Sequence, residues 1–220
     1  MNSEIKFFSS FDSLVLMTSE LYVPLTIVHA RHDGTKDVYE RHEELGRGGF
    51  ASVYRVTNKK TNQEFAMKII SKDKYDNDPN GKMLEKLMNE ISLQKSLNHQ
   101  NILKSYGSFK DAFNYYIVLE YCPGKSVKEL LRKSENGRLS EDEAKRILRD
   151  VVMGVVYLHN HKVIHRDLKL ENFMIGADGK IKIADFGISR RLSYADEKRF
   201  SICGTPQYLS PELLQTTNTG

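Results

Sequence analysis

The run that Ser140 opens constrains the fold most. Ser140-x-x-Glu143 is a capping box: the serine hydroxyl takes up a free amide of the first helical turn, and the glutamate leans back over the helix start. Behind it Ala144, Ile147, Leu148, Val151, Val152, Val155 and Val156 recur at spacings of three and four, the period of a helix with a broad apolar side. This predicts a helix to about Asn160. The front half has a different period. Between Leu45 and Ile70 the apolar positions run through Val53, Val56, Phe65, Met67 and Ile69, with β-branched and aromatic residues frequent, and the polar stretch from Asn58 to Asn62 divides them. That reads as strand, turn, strand. After a loop containing Pro79, residues Leu84, Leu87, Met88 and Ile91 return to helical spacing, with Glu90 at the border of that face. Strand-like runs follow at 102–109 and 115–120, and short ones at 173–175 and 181–184 flank a turn from Gly176 to Gly179. A strand-rich part precedes a helix-rich part, which predicts an α+β chain of two lobes.

The chain has 220 residues, 40% of them hydrophobic and 28% charged, values that set aside disordered, fibrous and membrane-spanning classes. Its net charge of +4 is spread without a run of as many as five or six like charges, so neither nucleic acid nor a membrane surface is expected as a partner. Residues 7–28 form the most apolar opening stretch, but Asp12, Glu20 and Pro24 interrupt it, so it neither spans a bilayer nor reads as a signal peptide. The two cysteines, Cys122 and Cys203, stand far apart, which excludes a disulfide framework and fits an intracellular location, cytoplasmic or nuclear. Residues 30–36, with Asp33-Gly34, read as a linker. The domain is therefore expected to begin near Tyr39, with residues 1–38 a loosely ordered extension.

Candidate chemistry begins at Gly46-Arg47-Gly48-Gly49-Phe50-Ala51, ahead of Val53, on the turn between two strands. Glycines there let the backbone approach a phosphate and aim its N–H groups at it. A dinucleotide-binding turn would lead into a helix, but the residues after Ala51 read as strand. On the next strand Lys68 lies among Phe65, Ala66, Met67, Ile69 and Ile70, surroundings in which an ammonium needs a counter-charge. Glu90 on the following helix can supply it.

Further along come His165-Arg166-Asp167-Leu168-Lys169-Leu170-Glu171-Asn172, then Asp185-Phe186-Gly187, then Ser210-Pro211-Glu212. With the glycine turn and Lys68, these resemble, in order, the signature motifs of the protein kinases, with Ser-Pro-Glu in place of Ala-Pro-Glu. The resemblance covers about Tyr39 to Gly220 and implies a β-rich lobe over 39–121 and a helical lobe, incomplete, over 122–220. It implies ATP and Mg²⁺ as cofactors and protein Ser or Thr hydroxyls as acceptors. Lys68 would hold the α- and β-phosphates with Glu90 fixing it, Asp167 would accept the substrate proton, Lys169 would steady the γ-phosphate, and Asn172 and Asp185 would hold the metal. Gly46, Arg47, Gly48, Gly49, Phe50 and Ala51 would cover the phosphates. Val53, Ala66, Leu119 and Met174 would line the adenine slot, while Glu120 and Cys122 would offer it backbone groups.

Within the kinases, Ala51 in place of a third glycine, Leu170 after Lys169, and Ser201-Ile-Cys-Gly-Thr-Pro look like the polo-like group. Glu171 departs from it, since that group usually has Gly there, and an acid would favour basic substrate residues. The polo-box region that follows such domains in that group is not among these 220 residues. A kinase fold continues for roughly another 60–80 residues, given the ~250 residues usual for it, so the Ser140 helix is expected to leave apolar surface uncovered and Glu212 to lack its partner. This keeps open an alternative, a module that binds nucleotide or a partner with little turnover. Control is expected at Ser201, whose phosphate would be received by Arg166.

Overall fold

The computed structural model describes residues 22–48, 51–76, 78, 81–193 and 204–211. Its first lobe is a six-stranded antiparallel sheet built from β1 (Thr26–Ala30), β2 (Lys36–Arg47), β3 (Ala51–Asn58), β4 (Glu64–Ser71), β5 (Ser105–Lys110) and β6 (Asn114–Glu120), in the order β1-β2-β3-β4-β6-β5. Between β4 and β5 lie the short α1 (Asp73–Asp76) and α2 (Lys82–Ser96). The second lobe holds α3 (Val127–Lys133), α4 (Glu141–Asn160), the strand pair β7 (Val163–Ile164) and β10 (Arg190–Arg191), and the hairpin β8 (Phe173–Ile175) and β9 (Ile181–Ile183).

The stretch expected to be linker is instead a hairpin turn, and the sheet begins upstream of Tyr39. Thr26 pairs with Glu40 and Ala30 with Lys36, while Asp33 accepts from the Thr35 amide and Gly34 takes φ +81°. An Asp-Gly pair serves a hairpin as readily as a linker. What decides between them is Ile27, buried with Tyr39, Tyr54 and Val56 on one face of the sheet. Residues 1–21 lie outside the described residues.

β5 likewise starts at Ser105, later than the expected 102. Ile102 is buried and makes a lone parallel bridge to Ile183, and Leu103 N–H donates to the Ile183 carbonyl. The strand-like residues 101–103 thus tie the first lobe to β9 of the second. On α2, Leu87 and Ile91 face the core as expected, but Met88 is 42% exposed. The inward stripe is narrower than the apolar one and continues through Leu93 and Gln94, whose amide donates to the Leu103 carbonyl.

Helix α4 starts where its cap predicts, the Ser140 hydroxyl accepting from Glu143 N–H. Ile147, Val151, Gly154 and Leu158 form its buried line. Gly154 is there because a Cβ would meet Ile183 Cδ1 at 2.8 Å and the Asn101 carbonyl at 2.9 Å, so only glycine lets the helix cross so close to β9. Leu148 is 62% exposed, and Val152, Met153 and Val156 are exposed beside it. Among the described residues, no helix is long and apolar enough to cross a membrane.

Candidate active site

Lys68 occupies the middle of β4, flanked by Val53 on β3 and Ile117 on β6. Its ammonium lies 2.7 Å from Glu90 Oε1, which α2 presents to it. Burial alone would drive the lysine pKa down, but Glu90, with Asp185 adding to it, outweighs this and holds it above the ordinary value. Beside the pair, Ala66, Leu119 and Cys122 belong to one buried apolar cluster, against which Ala51, Val53 and Met174 pack. The residues expected to line an adenine slot therefore meet in space. Cys122 is a free thiol whose pKa burial pushes up to about 12, so it acts here as an apolar side chain.

The glycine turn is described on both flanks. Gly46 pairs with Val53, and Gly48 N–H donates to the Ala51 carbonyl. Gly49 and Phe50 lie outside the described residues. Arg47 is engaged with Glu44 at 2.7 Å on the exposed side, and Glu44 also accepts from the Tyr54 hydroxyl.

The loop from His165 to Asn172 is held by polar contacts. Buried His165 places Nε2 2.9 Å from the Ala184 carbonyl, and Nδ1 accepts from Asp167 N–H at 3.3 Å. This suits a neutral ring with its proton on Nε2, and burial lowers the imidazole pKa accordingly. Phe186 packs edge-on against it, ring centres 5.1 Å apart. Asp167 Oδ2 lies 2.7 Å from Lys169 Nζ and accepts from Asn172 Nδ2 at 3.1 Å, while Oδ1 accepts from the Thr205 hydroxyl at 2.6 Å. Lys169 Nζ donates in turn to Thr205 Oγ1. Burial would raise the Asp167 pKa, but Lys169 and Thr205 prevail and hold it below the ordinary carboxylate range.

Asn172 commits its amide nitrogen to the Asp167 carbonyl and carboxylate, which leaves the amide oxygen as the group a hard cation accepts. Asp185 is exposed, takes φ +63°, and accepts from Gly187 N–H. A Cβ on Gly187 would lie 3.3 Å from Asp185 Oδ1 and 3.6 Å from Glu90 Oε2, so this turn sits close to the Lys68–Glu90 pair. Among the described residues no group of three or more His, Cys, Asp or Glu could hold a metal on its own. One carboxylate and one amide oxygen nevertheless suit Mg²⁺, which keeps waters and takes phosphate oxygens as further ligands.

Arg166 has φ +70° and donates through Nε to the Ile188 carbonyl. Gly204 sits on it so tightly that a Cβ would be 2.9 Å from the Arg166 carbonyl. Its expected phosphate donor, Ser201, lies outside the described residues, as does Glu212.

Two residues near the site escaped the sequence reading. Lys182, buried on β9, pairs with Glu120 at 3.1 Å and with Asp178 at 3.4 Å, tying the end of β6 to the second lobe. A lysine between Ile181 and Ile183 in a short strand was the signal available. Lys128 on α3 binds Glu171 at 2.6 Å.

Residues 39–220 match the family described as protein kinase domain. The chain belongs to that family. Serine/threonine-protein kinase polo of Drosophila melanogaster is 40% identical over 81% of this chain and 30% of its own length. Serine/threonine-protein kinase PLK4 of Nematostella vectensis is 44% identical over 77% of this chain and 17% of its own, and a probable serine/threonine-protein kinase, CCRP1 of Zea mays, 40% identical over 80% and 28%. The chain thus spans less than a third of the length of these relatives, and strand β1 lies ahead of the matched residues.

Proposed function

We propose that this chain is the catalytic domain of a polo-like serine/threonine kinase, working in the cytoplasm or nucleus, which moves the γ-phosphoryl group of ATP to a protein Ser or Thr hydroxyl with Mg²⁺. The observation that carries the reading is the Asp167 carboxylate, held by Lys169 and Asn172 and already accepting a hydroxyl, that of Thr205, at 2.6 Å. A substrate hydroxyl needs the same acceptor.

The apolar cluster around Ala66 and Leu119 takes the base, and Lys68, pinned by Glu90, faces the phosphates. Asp185 and the Asn172 amide oxygen would hold Mg²⁺, which would supply positive charge against that of the phosphates. Asp167, with its lowered pKa, is a weak base. It orients the acceptor hydroxyl and takes its proton late, as the new O–P bond forms and the bond to the leaving diphosphate breaks. Lys169, bonded to Asp167, balances negative charge on the moving group.

The test is transfer of label from γ-labelled ATP to a Ser-rich protein such as casein. The parent chain should transfer. Asp167→Asn should lose about 10²–10⁴ in kcat, with nucleotide affinity nearly unchanged. Equal incorporation by the two would overturn the mechanism. Nucleotide binding without transfer in the parent would favour the alternative, a binding module.

A further inference from the structure

Glu171 stands on the single 3₁₀ turn Leu170–Asn172, directly after Lys169. Its carboxylate was expected to favour basic substrate residues, but the fold gives it an internal partner, Lys128 Nζ, 2.6 Å from Oε1. Lys128 is the second residue of α3, whose Ser126 cap makes a lone bridge to Met174. The other oxygen, Oε2, is buried without a hydrogen-bond partner, so Lys128 satisfies only half of the group. Lys169, which bonds Asp167 and Thr205, also helps lower the Glu171 pKa, though less than Lys128 does. Glu171 directly precedes Asn172, whose amide bonds Asp167, so the Lys128–Glu171 pair lies at the edge of that cluster.

Lys128 is 61% exposed, and an ion pair so open to water is weak enough for an incoming cation to displace. An arginine side chain is suited to compete for Oε1, the oxygen that Lys128 holds, because its planar guanidinium matches a carboxylate where a lysine ammonium is a point charge; Oε2 is buried and closed to it. It must first expel Lys128. A neutral or acidic residue at the same place meets no such cost.

We propose that Lys128 is a specificity-determining residue, filling Glu171 so that the chain discriminates against polypeptides carrying Arg or Lys where they pass the Leu170–Asn172 turn. This rests on the kinase reading for which polypeptide passes there, but its test is a binding measurement independent of phosphoryl transfer. Fluorescein-labelled peptides with a central Ser, Arg being stepped through each flanking position of an otherwise Ala-rich sequence, are titrated with the full chain and followed by anisotropy. Lys128→Ala should tighten binding about two- to fivefold for peptides with Arg at one particular position. Lys128→Arg should keep the parent's discrimination, and adding Glu171→Gln to Lys128→Ala should erase the gain. A gain equal at every position, or shared by the peptide without Arg, would overturn the proposal, as would no gain or no peptide binding at all. A position-specific gain in a chain that transfers no phosphate would sink the kinase reading alone. Transfer without that gain would sink only the role of Lys128.

Discussion

The two walls of the site are held by different physics. The apolar cluster of Ala66, Leu119 and Cys122, with Val53 and Met174 against it, is packing between sheet and hairpin, where each side chain contributes through the area it removes from water. The facing loop is a mesh in which Asp167, Lys169, Asn172 and Thr205 hold one another through charged hydrogen bonds, where the loss of one member leaves others unsatisfied. A change in the first wall should therefore appear in stability and nucleotide affinity, and a change in the second in turnover.

The sharpest way to break that contrast is Leu119→Ala. Leu119 is buried in the cluster, so its truncation should cost about 2–5 kcal/mol of stability and weaken nucleotide binding, while kcat at saturating nucleotide stays close to the parent's. Urea unfolding and steady-state kinetics read the two effects. A large fall in kcat with little loss of stability would erase the distinction. Thr205→Val tests the other wall: it removes the hydroxyl that Lys169 and Asp167 share but leaves their 2.7 Å pair. We expect kcat to fall about tenfold, near 1.4 kcal/mol, with stability little changed. Adding Lys169→Met should cost less than the product of the two single effects, because both act through Asp167.

The smallest effect concerns pH. His165 sits neutral in the loop wall because burial lowers its pKa below 6.5. As pH falls through 6.5 the unfolded chain binds this proton before the folded one, so stability drops on the acid side and is regained above it. Calorimetry between pH 7.5 and 5.5 should show Tm falling by roughly a few degrees, with a shallower slope in His165→Gln. A Tm that rises on acidification would show that the ring is not held neutral.

The site was legible where its residues lie in short, ordered motifs. Lys68 and Glu90 were paired from the sequence because a charge on a central strand needs a partner and one helix followed it, and the structure sets them 2.7 Å apart. The roles expected of Asp167 and Asn172 came from resemblance, and nothing in their spacing says that Asn172 bonds Asp167. The slot residues were named by the same route, and any of them read alone is ordinary core. Lys128 went unnoticed because its partner stands 43 residues away, on an element whose packing no local period reveals.

What the sequence determined by itself is local: the α4 start at Ser140, the hairpin of 173–175 with 181–184 around its glycine turn, which the structure ends at Ile183, the strand period of the first lobe, and the order of the chemical groups. Capping, turn conformation and periodicity act within a few residues, so they survive without the rest of the fold. Only the tertiary structure decided that Thr26–Ala30 is a sheet strand, that Met88 and Leu148 face outward, and that Glu120 and Glu171 are neutralised by Lys182 and Lys128. An apolar stripe is inward only where another element covers it, and a carboxylate is free only if no distant ammonium is folded against it.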